Sequence, residues 1–514
     1  MKKALLFLSI FNISIAFAQV PEDAVRYSFY IPNGSARNMA IGGAMGSLGG
    51  EITAAFVNPA GLAFYRNSEV VFTPGFIMNK NSAAYRDSNS LTKKNAMNWG
   101  PTGLIVGIPN SYDEHKNSAI AIAFNQRTSF NNIINYSGLN NYSSFSEQFA
   151  EEFAKSGLSI ESVLYSNSPM PYTVAPALYT YLIDTVRVNG VLQIKAAPEY
   201  LLDSGKSVMQ QMNKTTKGGI YEWAFSFATK INEKWLFGGT MGIPIINYQS
   251  NTRFTESDIS GDTSNRFSSF TYTDDFKTFG TGINFKMGAI FRPKEYIRIG
   301  FAFHTPDLMV LSDTRKTTLT NNLENPISTY STSSLTFTNN EPGEAKYQMN
   351  TAWKAMLSAS YVFREIENVK RQKGFITADI EYVKHKASRF SSNSDAPTSS
   401  EEAYYKSLGK VIKDNYKGAF NFRVGGELKF NIIMARLGFA YYGNPYKDPA
   451  FKANNMMLSG GLGYRNNGFF VDLTYAYMIK KNVDLPYRLE DRANTFSNIK
   501  QKQGNILLTV GVKF

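Results

Sequence analysis

The chain has 514 residues, with Lys+Arg 54 against Asp+Glu 41, a formal net charge of +13 and no cysteine. No cysteine excludes a disulfide framework, thiolate metal sites and the lipid-bearing thiol of a lipoprotein. The basic residues are scattered rather than gathered in a stripe, so nucleic acid is not an expected partner.

The N-terminus has the order of a secretory signal peptide. Lys2 and Lys3 precede an apolar run from Ala4 to Ile15, closed by Ala16-Phe17-Ala18. The run is too short for a permanent transmembrane helix. Residues 1–18 therefore read as a leader, with the mature chain starting at Gln19. Residues 19–67 follow with small residues, Ile41 to Gly50 above all, and then Phe56-Val57-Asn58-Pro59-Ala60-Gly61. A compact segment that tolerates glycine fits this composition better than a strand does. Residues 19–67 are expected to form a plug, with Asn58 bonded to inward polar residues of a barrel.

From Ser68 the pattern alternates with period two to the last residue. Phe420, Phe422, Val424, Leu428 and Phe430 share one face of a strand, and Asn421, Arg423, Glu427 and Lys429 share the other. Such segments suit a wall between lipid and a polar lumen. The predicted strands are 68–78, 101–109, 118–125, 218–231, 234–248, 268–293, 296–312, 346–364, 373–386, 417–430, 432–443, 456–465, 468–480 and 502–514. The fold class is all-β: a transmembrane antiparallel barrel of about 14 strands over residues 68–514. Short links such as Asn232-Glu233 and Asn466-Asn467 alternate with long ones, which places the long loops outside the cell.

On the second strand Gly103, Ile105 and Gly107 are expected inward, and on the third Ala119, Ala121 and Ala123. This small, dry sector has two readings: Gly103, Gly107, Ala119, Ala121 and Ala123 wall a passage for apolar ligands, or they make room for the plug. Pro244 lacks an N–H and is expected to break the ladder at the fifth strand. The longest connection, 126–217, contains a helix near Ser144–Ser156. Ser144 and Glu147 are spaced as a capping box, and Phe145, Phe149 and Phe153 repeat every four residues. Arg298, Asp379, Glu381, Arg423, Glu427, Lys429, Arg436 and Asp472 fall on the inward face, where mixed signs suit ion pairs to a plug.

Enzymatic chemistry is not expected. His115, His304 and His385 stand far apart, no His-Glu-x-x-His or Gly-x-Ser-x-Gly pattern occurs, and no metal or cofactor is predicted. The last strand carries Leu508, Val510, Val512 and Phe514 on one face, which resembles the signal read by barrel-insertion machinery.

Asn58-Pro59-Ala60, after small residues and just before the first strand, resembles the plug motif of the FadL/TodX family of outer-membrane channels for long-chain fatty acids and aromatic hydrocarbons. The resemblance extends over the whole mature chain: plug, strands, long outer loops and terminal Phe. It implies a multi-pass outer-membrane protein for passive uptake of hydrophobic small molecules, with outer-membrane lipid around it. It also implies that the plug blocks the lumen and that substrate leaves sideways through a kink in the third strand, although Ser118–Asn125 holds neither Gly nor Pro. The alternative is a barrel of the same fold that serves as a structural or shuttle partner of a protein secretion system.

Overall fold

A computed structural model describes residues 21–113, 116–188, 190–324, 329–363, 373–449, 451 and 453–514. The expected leader, residues 1–18, and His115 lie outside the described residues. The alternating segments close into one antiparallel barrel of 14 strands.

In chain order the wall strands are β1 (Glu69–Phe72 and Pro74–Tyr85), β2 (Ser88–Trp99 and Thr102–Pro109), β3 (Asn117–Ser129 and Asn132–Asn140), β4 (Val208–Lys230), β5 (Trp235–Asp258), β6 (Ser269–Lys294), β7 (Ile297–His304 and Leu308–Asn322) and β8 (Gly343–Asn350 and Lys354–Phe363). They continue as β9 (Gly374–Lys384 and Arg389–Ser392), β10 (Gly418–Phe430), β11 (Ile433–Tyr442), β12 (Asn455–Asn466), β13 (Phe469–Asp484) and β14 (Ser497–Lys513). Each pairs with its neighbours, and β14 returns to β1 with Glu69 opposite Lys513 and Gly75 opposite Leu507. Closure leaves no sheet edge for water or lipid to unzip.

Alternation sets the two faces. Phe420, Phe422, Val424 and Leu428 are exposed outward while Asn421, Arg423 and Glu427 are buried inward. The same division gives an outward apolar belt around the barrel, with aromatic pairs such as Trp235–Phe291, whose ring centroids lie 4.5 Å apart, at its lower margin. β4, β5 and β6 run for 23, 24 and 26 residues. A membrane crossing needs about 9–11, so their distal halves, with polar outward residues such as Asn251 and Lys277, rise above the belt.

These extensions are where the sequence reading falls short. β1 and β2 continue to a two-residue turn at Arg86-Asp87, and β3 continues to Asn140. Beyond the belt both faces are polar or mixed, so the apolar alternation that marks a wall strand fades. The strict alternation of short and long links fails here too, because the β1–β2 turn lies on the long-loop side. The connection after β3 contains the expected helix, at Glu147–Ser156, and a hairpin, Ile183–Val188 with Val191–Ala196.

Candidate functional site: the N-terminal segment and the wall around it

The segment 21–67 is short helices joined by tight turns, because its small residues can approach other backbone closely. Ser35 caps the helix Ala36–Ala40, its hydroxyl accepting from Asn38 N–H. Gly42 and Gly43 follow at φ +71° and +78°, a left-handed turn that side chains resist. The turn lies against β11, where a side chain on Gly42 would meet the Phe439 carbonyl at 2.7 Å. The segment touches both sides of the barrel. The Ala36–Ala40 helix packs on β11, β12 and β13, and the 3-10 helix Pro59–Phe64 packs on β4, β5 and β6.

Asn58 joins these parts. Its side-chain oxygen accepts from Ala60 N–H at 3.1 Å and caps the 3-10 helix, with Pro59 at the first position, where its missing N–H costs nothing. Its amide donates to the carbonyls of Gly46 at 2.5 Å, Phe301 at 3.3 Å and Ala289 at 3.4 Å. The expected partners were inward polar side chains; the observed ones are main-chain carbonyls. Glycines make that contact available, since a side chain on Gly288 would overlap the Asn58 oxygen and one on Gly238 would overlap Pro59. Sequence reading missed these inward glycines, although an isolated Gly inside a strand signals such an approach.

Wall charges complete the docking. Asp379 accepts from the backbone N–H of Met45 at 3.0 Å and Gly46 at 3.2 Å, and Arg298 donates to the Leu48 carbonyl at 2.9 Å. Glu427 takes Arg37 of the segment at 3.2 Å and Arg436 of the wall at 2.6 Å, and Arg436 also reaches Asp472 at 2.6 Å. Burying so many charges is tolerable only because they are paired. A second cluster lines the lumen beside the segment: Arg127 with Asp307 at 3.1 Å, Lys286 with Glu222, and Arg423 with Glu381 at 2.6 Å. It borders a cavity of about 50 Å³ with Tyr30, His304 and Lys354, room for a few waters. His304 bonds the Val57 carbonyl at 2.9 Å and His385 the Ser28 hydroxyl at 3.1 Å. No group of three His, Asp or Glu fit for a metal ion occurs among the described residues.

Ala119, Ala121 and Ala123 are inward and buried, in one apolar cluster with Ala54, Ala60, Leu62 and Tyr65 of the segment. A side chain on Gly107 would meet Arg66 and Asn67 backbone at 2.6–2.8 Å, and one on Gly103 would overlap Ile122 of β3. In this structure the small sector is therefore filled by the segment. At Pro244 the ladder between β5 and β6 passes from Gly242–Asn284 to Ile245–Thr281 and omits Ile243 and Pro244, while β4 stays in register on the other side.

No protein-family model matches the chain, and no curated protein matches it. Solved structures do. A Pseudomonas aeruginosa FadL homologue superposes with a TM-score of 0.53 at 14% identity, covering 95% of this chain and 100% of that one. The toluene transporter TodX of P. putida gives 0.51 at 11% identity, covering 94% and 99%. The chain has the FadL/TodX barrel fold.

Within the FadL/TodX fold, one seam of this wall is unlike the others. β2 and β3 are laddered only from Thr102–Phe124 to Pro109–Asn117. Beyond it β2 breaks at Gly100-Pro101, β3 is bulged between Gln126 and Thr128, and its continuation pairs with β4 alone. There the β1–β2 hairpin laps over the free edge of β3. Asn79 donates to the Asn131 carbonyl at 2.8 Å, Asn81 and Thr92 to that of Ile133 at 2.6 and 2.7 Å, and Ser90 to that of Asn135. Side chains replace the ladder. The third strand is thus interrupted, at 129–132 rather than within Ser118–Asn125.

Above the lumen the 141–207 connection folds over the mouth. Phe145 stacks on Phe254 at 4.4 Å between centroids, and Phe149 and Phe153 are buried beside it. The expected capping box is half made: Ser144 N–H donates to Glu147 at 2.6 Å, but the Ser144 hydroxyl bonds Ser146 instead. Buried Glu256 at the tip of β5 accepts from Phe145 N–H at 3.0 Å and from Gln210 at 3.2 Å. Burial pushes the carboxyls of both Glu256 and Glu147 up to about 7.

Proposed function

We propose that this chain is an outer-membrane channel for passive uptake of hydrophobic small molecules, with residues 21–67 as its plug. One observation carries the reading. The barrel interior is occupied by a docked segment while, beyond the Thr102–Phe124 pair, the seam between β2 and β3 is closed by side chains in place of a backbone ladder. A segment held by ion pairs blocks water and ions. A seam without backbone pairing is the cheapest place for the wall to part toward lipid, since each side-chain hydrogen bond contributes only about 1 kcal/mol net. The solved barrels of this fold include a toluene transporter, which supports the same class of cargo. The Gly103, Gly107, Ala119, Ala121 and Ala123 sector lies next to that seam and becomes an apolar passage when the segment withdraws. The comparisons do not favour the secretion-partner role.

The test is uptake of radiolabelled hexadecanoic acid and of toluene by intact cells lacking the chain, compared with the same cells after its restoration. Restoration is expected to raise hydrophobic uptake and to leave leakage of a small sugar unchanged. Equal uptake with and without the chain refutes the proposal.

A further inference from the structure

The outward face of β2, β1, β14 and β13 carries a charge pattern that the channel reading does not use. Lys93 on β2, Lys80 on β1 and Lys502 on β14 stand directly opposite one another in a single cross-strand row. Next to it Lys500 faces Lys481 across β14 and β13. All five are exposed, and no carboxylate pairs with any of them within 4.0 Å among the described residues. Like charges directly opposite destabilise a sheet. Elsewhere above the belt the wall avoids this, as where Asp275 faces Lys316 across β6 and β7 and accepts from Asn251 of β5.

The row lies at the upper edge of the apolar belt. One outward position below it come Asn95, Met78, Gly504 and Tyr477, and below those Met97, Phe76, Ile506 and Tyr475. Ile506 and Tyr475 also line the large outer concavity of the wall, a groove of about 1140 Å³. Small residues hollow it: Gly426 and Gly460 flank Leu437 on either side, leaving that side chain 73% exposed. Tyr475 runs up from the groove, its hydroxyl 2.9 Å from where a side chain on Gly504 would begin. Groove and lysines thus lie on one outward face, four residues apart along β14 from Lys502 to Ile506, or about 13 Å. Across the strands the lysines span three spacings, about 14 Å, wider than one phosphate.

We propose that this face binds a phospholipid-like glycolipid of the outer leaflet that carries more than one phosphate. Its acyl chains lie in the groove and its phosphates on Lys80, Lys93, Lys481, Lys500 and Lys502. The repulsion in the bare row is then relieved by the ligand, and the chemistry is that of a basic cluster on an anionic lipid surface. The inference rests on the membrane placement proposed above, not on uptake.

The full chain, purified in a zwitterionic detergent, is mixed with bisphosphorylated lipid A or with phosphatidylcholine, and retained lipid is counted by native mass spectrometry. The wild type is expected to keep lipid A and release phosphatidylcholine. The Lys80→Gln, Lys93→Gln, Lys502→Gln triple variant is expected to lose lipid A by about tenfold or more. A control triple with the same charge change, Lys217→Gln, Lys277→Gln, Lys346→Gln, keeps it. Without lipid the patch variant melts no lower than wild type, because opposed charges have been removed. Should it not fold, Lys80→Gln alone removes the middle of the row and is expected to lose about fivefold. Undiminished retention by the patch variant, equal loss in the control, or equal binding of phosphatidylcholine overturns the proposal. Wild type that binds lipid A in cells showing no hydrophobic uptake refutes the channel and leaves this site standing.

Discussion

Asn58 shows how one residue can tie a segment to a wall. It caps a helix with its oxygen and spends its amide on carbonyls from the segment, β6 and β7. Asn58→Ala removes a cap, worth about 1 kcal/mol, and strands buried carbonyls at a further cost of about 1–3 kcal/mol. The barrel ladder is untouched, so the variant should still run as a folded, heat-modifiable barrel. Amide exchange across residues 41–65 should accelerate by at least about tenfold. Gly288→Ala, whose added carbon overlaps the Asn58 oxygen, should act in the same direction and more strongly. Unchanged exchange in both variants would show that the segment is held elsewhere, by the Asp379 and Glu427 contacts. The motif was legible from its resemblance to a family plug motif and its place just before the first strand; its partners were not, because main-chain carbonyls have no sequence signature.

At the scale of elements, the folded connection over the mouth has a titratable latch. Glu256 accepts from Phe145 N–H, Glu147 accepts from Ser144 N–H, and Arg492 stands 3.4 Å from Glu147, with Glu151 and Glu199 nearby. Both carboxyls are raised from about 4.5 to about 7 by burial. Between those values the docked state binds more protons than the undocked one, so docking weakens as pH rises and levels off above about 7. Amide exchange of the Glu147–Ser156 helix, measured at about pH 5 and about pH 8 and corrected for intrinsic rates, should show greater protection at the lower pH. Glu256→Gln, neutral throughout, should flatten that dependence; an equally steep profile in the variant would assign the effect to other groups. The helix itself was legible from the spacing of Phe145, Phe149 and Phe153. The long strand extensions were not, because period-two apolarity is required only where lipid lies outside.

For the whole molecule the expected consequence of the docked segment is electrical. Removing residues 21–57 takes away Arg37 and the Asp379 partners but leaves the 14-strand ladder, which closes through β1 and β14. Planar-bilayer conductance of the shortened chain should rise several-fold over the full chain, which should be nearly silent. A closed shortened barrel would mean that the folded outer connection, not the segment, seals the lumen.

Composition and alternation alone settled the fold class, the number of strands and the inward set of charges, since each follows from which side of a strand faces out of the barrel. Tertiary structure decided what depends on residues distant in sequence. Ala119, Ala121 and Ala123 are packed on the segment because Ala54, Ala60 and Leu62 arrive there from another part of the chain. The β2–β3 seam exists because the edge of β3 lies behind a hairpin whose strands are hard to see outside the belt. Lys80, Lys93 and Lys502 are scattered through the sequence and become one row only when β14 closes on β1. Periodicity reports the environment of a side chain; register, which strand stands beside which and at what offset, is set by closure of the whole barrel.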